Sequence, residues 1–204
     1  SEFTPNTSSL INEMLSSLFD KNEIKVVEGD YSIGENLINL KFDHIFFTGS
    51  PEIGKIVMGA ASKNLSSVTL ELGGKSPNVF FESIMDADDD YFDKCIEGAV
   101  MFALNQGEVC TCPSRILVQE SIYEKFMERV VERTNAIKLG HPLDPNTMMG
   151  AQASNDQYEK ILNYIEIGKE EGCEVLAGGE AAYNEGLDGG YYIKPTILQG
   201  NNKM

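Results

Sequence analysis

Apolar positions along the chain change period repeatedly, and each change marks an element. Leu10, Ile11, Met14, Leu15, Leu18 and Phe19 recur on one face at helical spacing after Pro5-Asn6-Thr7, a helix start. Ile24 to Val27 reads as a short strand closed by Gly29, and Glu35 to Leu40 as a second short helix. His44 to Thr48 is a brief apolar run ended by Gly49, the pattern of a buried strand. Beyond Gly49-Ser50-Pro51-Glu52-Ile53-Gly54, the residues Ile53, Ile56, Val57, Ala60 and Ala61 form a narrow helical stripe, small enough to pack closely on a sheet. Val68 to Leu70 is the next strand, with Glu71 at its carboxyl end.

Alternating strands and helices predict an α/β fold: part of a Rossmann-like, doubly wound parallel sheet, followed by part of a second α/β domain. Strand, glycine turn and helix in succession put backbone N–H groups and a positive helix end at the strand's carboxyl edge, where doubly wound sheets bind nucleotides. Gly73-Gly74 interrupts the pattern and marks a domain boundary, giving segments 1–72 and 73–204.

The second segment continues with a strand over Asn78 to Phe81 and a helical stripe of Tyr91, Cys95, Ile96, Ala99, Val100 and Ala103. That helix is expected to end near Leu104. Asp86, Asp88, Asp89 and Asp90 precede it, and acidic charge there complements a helix N-terminus. The spacing lacks the glycine and terminal glutamate of an EF-hand calcium loop. Ile116 to Val118 reads as a strand, Tyr123, Phe126, Met127, Val130 and Val131 as a helix face, and Gly140 to Pro145 as a rigid connector. Tyr158, Ile161, Leu162 and Ile165 mark a last helix stopping at Gly172, and Cys173 to Leu176 a strand before the turn Gly178-Gly179. Tyr191 to Ile193 reads as extended.

Composition narrows the classes. The formal charge of −16 over 204 residues argues against nucleic-acid binding, which draws on clustered Lys and Arg. No apolar run reaches the roughly 18 to 20 residues of a spanning helix, and Ser1 begins no signal pattern, so the cytoplasm is the expected compartment. Cys95, Cys110, Cys112 and Cys173 are too few and too unevenly spaced for a disulfide scaffold. With only His44 and His141 besides them, no metal site is expected.

Two groups stand out chemically. Cys110 follows Asn105-Gln106-Gly107-Glu108-Val109, where a glycine can hold a tight backbone and expose a nucleophile. A free cysteine is also commonly just a small buried hydrophobe. A Cys–His hydrolase needs a histidine base, but His44 falls in a strand and His141 in a proline-bounded linker. Glu71, flanked by glycines at a strand end, is the better candidate base once burial raises its pKa.

Phe47-Thr48-Gly49-Ser50-Pro51-Glu52-Ile53-Gly54, Glu71-Leu72-Gly73-Gly74-Lys75-Ser76-Pro77-Asn78 and Gly107-Glu108-Val109-Cys110 resemble, in order and spacing, the signatures of the NAD(P)-dependent aldehyde dehydrogenase superfamily. The likeness covers practically the whole chain. It implies that 1–72 is the second half of an NAD-binding domain and 73–204 the first part of a catalytic domain. It makes Cys110 the nucleophile and Glu71 the general base. Ser50 and the helix starting near Pro51 would meet the cofactor pyrophosphate, Gly49 and Gly54 would shape the turn, and Thr48 and Leu72 would lie near the nicotinamide. Glu2 corresponds to a carboxylate that binds the adenosine ribose, which favours NAD over NADP.

The resemblance also implies a small-molecule aldehyde as substrate, a homo-oligomer at full length, and a full member more than twice this long. An oxyanion asparagine would precede Ser1, and a carboxylate gripping the nicotinamide ribose would follow Met204. Up to about Phe81 the chain looks most like the fatty and aromatic aldehyde branch, and Ala99 to Gln199 like the bacterial acetaldehyde branch, the pattern of a recombinant joined between Ser76 and Gly98. Two other functions stay open on the residues alone: a nucleotide-binding segment without turnover, and a weak cysteine-dependent esterase.

Overall fold

Two compact units make up the chain, with the division falling between Gly73 and Gly74. The structure, a computed structural model, describes residues 3–87, 89–183 and 189–201, so Glu2 and Asp88 lie outside the described residues.

In the first unit, α1 (Pro5–Leu18) opens with proline in its first turn, and α2 (Tyr31–Ile38) is capped by Asp30, whose side chain accepts from Ser32 N at 3.0 Å. That cap starts α2 four residues before the expected Glu35. Ile24 to Val27 forms no strand, because among the described residues no neighbouring strand supplies the ladder that an extended segment needs. Strand β1 (His44–Gly49) pairs in parallel with β2 (Ser67–Leu72), and α3 (Pro51–Ser62) crosses between them and packs on both.

The expected buried strand is therefore only half-covered. Ile45 and Phe47 are half-buried, whereas His44 is exposed and Phe46 is 65% exposed, since a two-stranded ladder with one helix shields alternate residues. On α3 the buried residues are Gly54, Val57, Ala60 and Ala61, while Ile53 and Ile56 point outward, leaving the stripe narrower than expected.

The second unit holds the larger core. Strand β3 (Pro77–Phe80) pairs in parallel with β4 (Arg115–Val118), and α4 (Asp90–Val100) lies between them in sequence. Asp89 caps α4, accepting from the backbone N–H groups of Tyr91 and Phe92 at 3.0 and 3.2 Å, which gives that part of the acidic cluster its structural use. Helix α5 (Tyr123–Asn135) packs against α4. Phe92, Ile96 and Ala99 from α4 join Phe126, Met127 and Val130 from α5 and Phe80 from β3 in one cluster. The Phe80 and Phe126 rings lie 4.6 Å apart. Full burial of such side chains contributes about 1.5–3 kcal/mol each.

Helix α6 (Asn155–Glu170) is capped by Ser154 and ends before Gly172, whose φ of 93° suits only a residue without a Cβ. Strands β5 (Glu174–Ala177) and β6 (Ile197–Gln199) pair antiparallel. Among the described residues no helix is long and apolar enough to cross a membrane.

Candidate active site

Six of the residues singled out in the sequence gather at one place in the first unit. Thr48 and Gly49 end β1, and Glu71 and Leu72 end β2, with Thr48 opposite Glu71 and Gly49 opposite Leu72 in the parallel register. Ser50 follows as the cap of α3, its Oγ accepting from Ile53 N at 3.3 Å. Gly54 lies one turn into α3, with its N–H on the Ser50 carbonyl at 2.9 Å.

Glycine at 54 has a direct steric cause: a Cβ there would stand 2.9 Å from Leu72 Cδ2. The first turn of α3 therefore rests against the end of β2. The expected row of open N–H groups at this helix start is partly used already. Pro51 has none, and those of Ile53 and Gly54 are taken by Ser50. The helix dipole and the Ser50 hydroxyl are still available to an anion.

Glu71 is exposed, not buried as expected of a base activated by desolvation. The shielding from α3 reaches Leu70 and Leu72, which are half-buried, and spares the residue between them. The histidines are outside any such arrangement. His44 Nδ1 lies 2.7 Å from Ser67 Oγ at the opposite end of the ladder, and His141 Nδ1 accepts from Leu143 N within its own linker.

Cys110 belongs to the second unit and is exposed. Helix α4 does not run to Leu104. It passes into a 3-10 segment at Met101, and Leu104 turns extended (φ −58°, ψ 133°). Three left-handed residues follow: Asn105 (φ 48°), Gln106 (φ 60°) and Gly107 (φ 79°). Glu108 N closes this turn on the Asn105 carbonyl at 3.0 Å, and Cys112 N closes a second turn on Val109 O at 3.0 Å. Cys110 occupies the first inner position of that second turn.

Left-handed backbone costs a non-glycine residue roughly 1–2 kcal/mol, so two such residues in a row must be held from outside. Segment 150–153 does this. Gln106 Nε2 donates to Ala151 O at 3.1 Å, Gln152 Nε2 to Gln106 O at 3.2 Å, and Ala153 N to Glu108 Oε1 at 3.1 Å. In the sequence Gly107 is the residue that announces this turn. Asn105 carried a signal of its own, as asparagine tolerates the left-handed region. The contribution of Gln152, forty-two residues from Cys110, had none.

Cys112 is half-buried, and its Sγ donates to Phe102 O at 3.4 Å. Burial pushes this thiol up, with the Lys75 ammonium acting in the opposite sense. Cys112 is thus held back from the thiolate form that a nucleophile needs.

Residues 1–204 match the aldehyde dehydrogenase family throughout. The chain belongs to this family. Among curated members it is 54% identical over 205 residues to an aldehyde dehydrogenase of Deinococcus radiodurans and 52% identical over 206 residues to acetaldehyde dehydrogenase 2 of Cupriavidus necator, both alignments covering the full chain. With an aldehyde dehydrogenase of Paracoccus denitrificans it shares 65% identity over 161 residues, 78% of the chain. Those alignments take in 40%, 41% and 32% of the respective relatives, so the chain spans about two fifths of the length of the first two. Betaine aldehyde dehydrogenase from Staphylococcus aureus, solved as a double mutant in complex with NAD+ and carrying a BME-modified cysteine, superimposes with a TM-score of 0.90 at 35% identity. That match covers all of this chain and 41% of the solved one. The α/β architecture with parallel strand pairs is thus part of the family's fold.

Proposed function

We propose that the chain carries the nucleophile, the general base and part of the cofactor cradle of an NAD-dependent aldehyde dehydrogenase. In this reading 1–72 is the second half of the NAD-binding domain and 73–204 the first part of the catalytic domain. The observation that carries it is the grouping of Thr48, Gly49, Ser50, Gly54, Glu71 and Leu72 at one end of the β1–β2 pair, in a chain whose exposed Cys110 comes just after a pinned left-handed turn.

The cradle fits a dinucleotide on one specific ground. The Cβ-free edge of Gly54 lets α3 seat on Leu72, which brings the helix start and the Ser50 hydroxyl to the strand ends, where a pyrophosphate is held in doubly wound sheets. Ser50, Gly49 and Gly54 would take the pyrophosphate, and Thr48 and Leu72 would take the nicotinamide end. Glu2, which lies outside the described residues, would bind the adenosine ribose and disfavour a 2′-phosphate. Bound there, NAD+ supplies the acceptor for the hydride lost by the substrate.

The Cys110 thiolate attacks the aldehyde carbon, forming a C–S bond and an oxyanion that the Cys110 backbone N–H stabilises. When the oxyanion collapses, the carbon gives up its hydride and becomes a thioester on Cys110. Glu71 takes a proton from water, the resulting hydroxide adds to the thioester, and the C–S bond breaks to release a carboxylic acid and the thiolate. The substrate is an aldehyde of small-molecule size.

Aldehyde-dependent formation of NADH, followed by absorbance in the intact polypeptide that carries these residues, tests this reading. Activity that persists in Cys110→Ser would overturn it. Cleavage of an ester without NAD, with no NADH from any aldehyde, would assign Cys110 to an esterase instead.

A further inference from the structure

Gln152 is 5% exposed, one of two buried polar side chains among the described residues, the other being Thr134. Thr134 is satisfied by its own helix through Val130 O at 2.8 Å. Gln152 instead spends its amide on a remote loop: Nε2 donates to Gln106 O at 3.2 Å, while Oε1 has no hydrogen-bond partner among the described residues. A buried amide that is half-satisfied is a poor stabiliser, since the orphan acceptor offsets what the made bond contributes. Its use therefore lies in what it holds.

What it holds is the left-handed turn before Cys110. Gln106 at φ 60° is the central residue of that turn, and its carbonyl is the atom Gln152 grips. The gripping residue is itself fixed. Gln152 N donates to Tyr191 O at 2.9 Å, and two residues on Ser154 caps α6. The Gln106 side chain returns the contact through Ala151 O and lies along Gly150, 3.8 Å from where a Cβ would be. Segment 150–153 thus ties down 106–108 through reciprocal hydrogen bonds, in which Gln152 is the buried side chain.

We propose that Gln152 is a positioning residue that sets the conformation of the left-handed turn leading into Cys110, acting through the Gln106 carbonyl. The proposal rests on Cys110 being the nucleophile. A loosened turn lets Asn105 and Gln106 relax toward ordinary backbone angles and displaces the sulfur, and a shift of about 1 Å at a reacting group can lower a rate by up to ~10²-fold.

The test is Gln152→Met in the intact enzyme, which keeps the volume and removes both the donor and the orphan acceptor. Expected are a thermal midpoint within about 2 °C of the parent, kcat for aldehyde oxidation lower by about tenfold or more, an unchanged KM for NAD, and alkylation of Cys110 by iodoacetamide slowed by a similar factor. Parental kcat and parental alkylation rate would overturn the positioning role. A thermal midpoint that falls while the rate on the folded fraction stays parental would assign Gln152 to stability alone and overturn it equally. Should Gln152→Met not fold, Gln152→Glu, which sets a carboxylate against the Gln106 carbonyl, is read by the same two rates. Cys110→Ser separates this from the parent reading: if that variant still oxidises aldehyde, the site assignment itself fails, whereas an inactive Cys110→Ser beside a fully active Gln152→Met defeats only the positioning role.

Discussion

Thr48 and Glu71 face each other across the parallel β1–β2 ladder, with Gly49 and Leu72 one step further along. Adjacent strands lie about 4.8 Å apart, so the proposed base and the proposed nicotinamide-side residues are set at one spacing by backbone pairing rather than by flexible side chains. Glu71→Gln keeps this geometry and removes the proton acceptor. Acylation of Cys110 should survive, and release of the acid should slow by about 10²- to 10⁴-fold. Stopped-flow NADH formation would then show a single-turnover burst, with an acyl group on Cys110 detectable by mass. A variant that turns over at the parental steady rate would remove Glu71 from the mechanism.

Gly54 permits α3 to sit on Leu72. The first atom a new Cβ meets is the end of a leucine side chain, which can swing, so Gly54→Ala should be tolerated in folding and shift Leu72 by a few tenths of an ångström. Gly54→Val adds two methyl groups and a β-branch in a helix interior, which pushes the helix start away from the strand ends. The expected result is a KM for NAD raised by about tenfold or more for valine and less for alanine, reflecting about 1.4 kcal/mol per tenfold in binding. Cofactor titration by fluorescence quenching checks it, and equal affinity in both variants would detach Gly54 from the cradle.

Sequence patterns located most of this arrangement because its signals are local. Period changes marked β1, α3, β2, α4, α5 and α6, and the glycine turn at 49–54 announced a strand-to-helix corner. Burial was the quantity least visible. The apolar run His44 to Thr48 looks like a covered strand, yet its cover depends on how many helices lie over the ladder, and among the described residues α3 is the helix that packs on both strands. The same arithmetic left Glu71 exposed. Ile24 to Val27 has strand composition but no partner, and pairing is a non-local property. Gln152 was invisible for a related reason: a lone glutamine between alanines says nothing until the fold brings it to Gln106.

Asp93 on α4 receives two guanidinium groups from α5, Arg133 Nη2 at 2.6 Å and Arg129 Nη2 at 3.6 Å, beside the buried Phe92–Phe126 contact. Arg129 also lies over the Phe92 ring, 5.4 Å from its centre. The pair is about half in solvent, so screening limits its worth, and Asp93→Ala should cost about 1 kcal/mol. Added salt should shrink the difference, as both charges are partly exposed. Urea melts at low and high ionic strength measure this. A loss that does not depend on salt would mean that packing, and not charge, ties α4 to α5.

Cys110 and Cys112 are two residues apart and differ in exposure and in contacts. Cys110 is exposed within its turn, whereas Cys112 is half-buried, engages the Phe102 carbonyl through Sγ and is pushed up by burial. Because the raised group holds its proton to higher pH, its thiolate fraction near about pH 7 falls below that of a free cysteine and recovers only as pH rises. Iodoacetamide at about pH 7 should therefore label Cys110 before Cys112, by tenfold or more in rate, with Cys95 and Cys173 also lagging because they are half-buried. Raising the pH should narrow the gap between Cys110 and Cys112. Peptide mapping of the alkylated protein reads both quantities. Equal labelling of the two thiols at neutral pH would mean that the turn confers no selectivity on Cys110, and a gap that widens with pH would contradict the burial of Cys112.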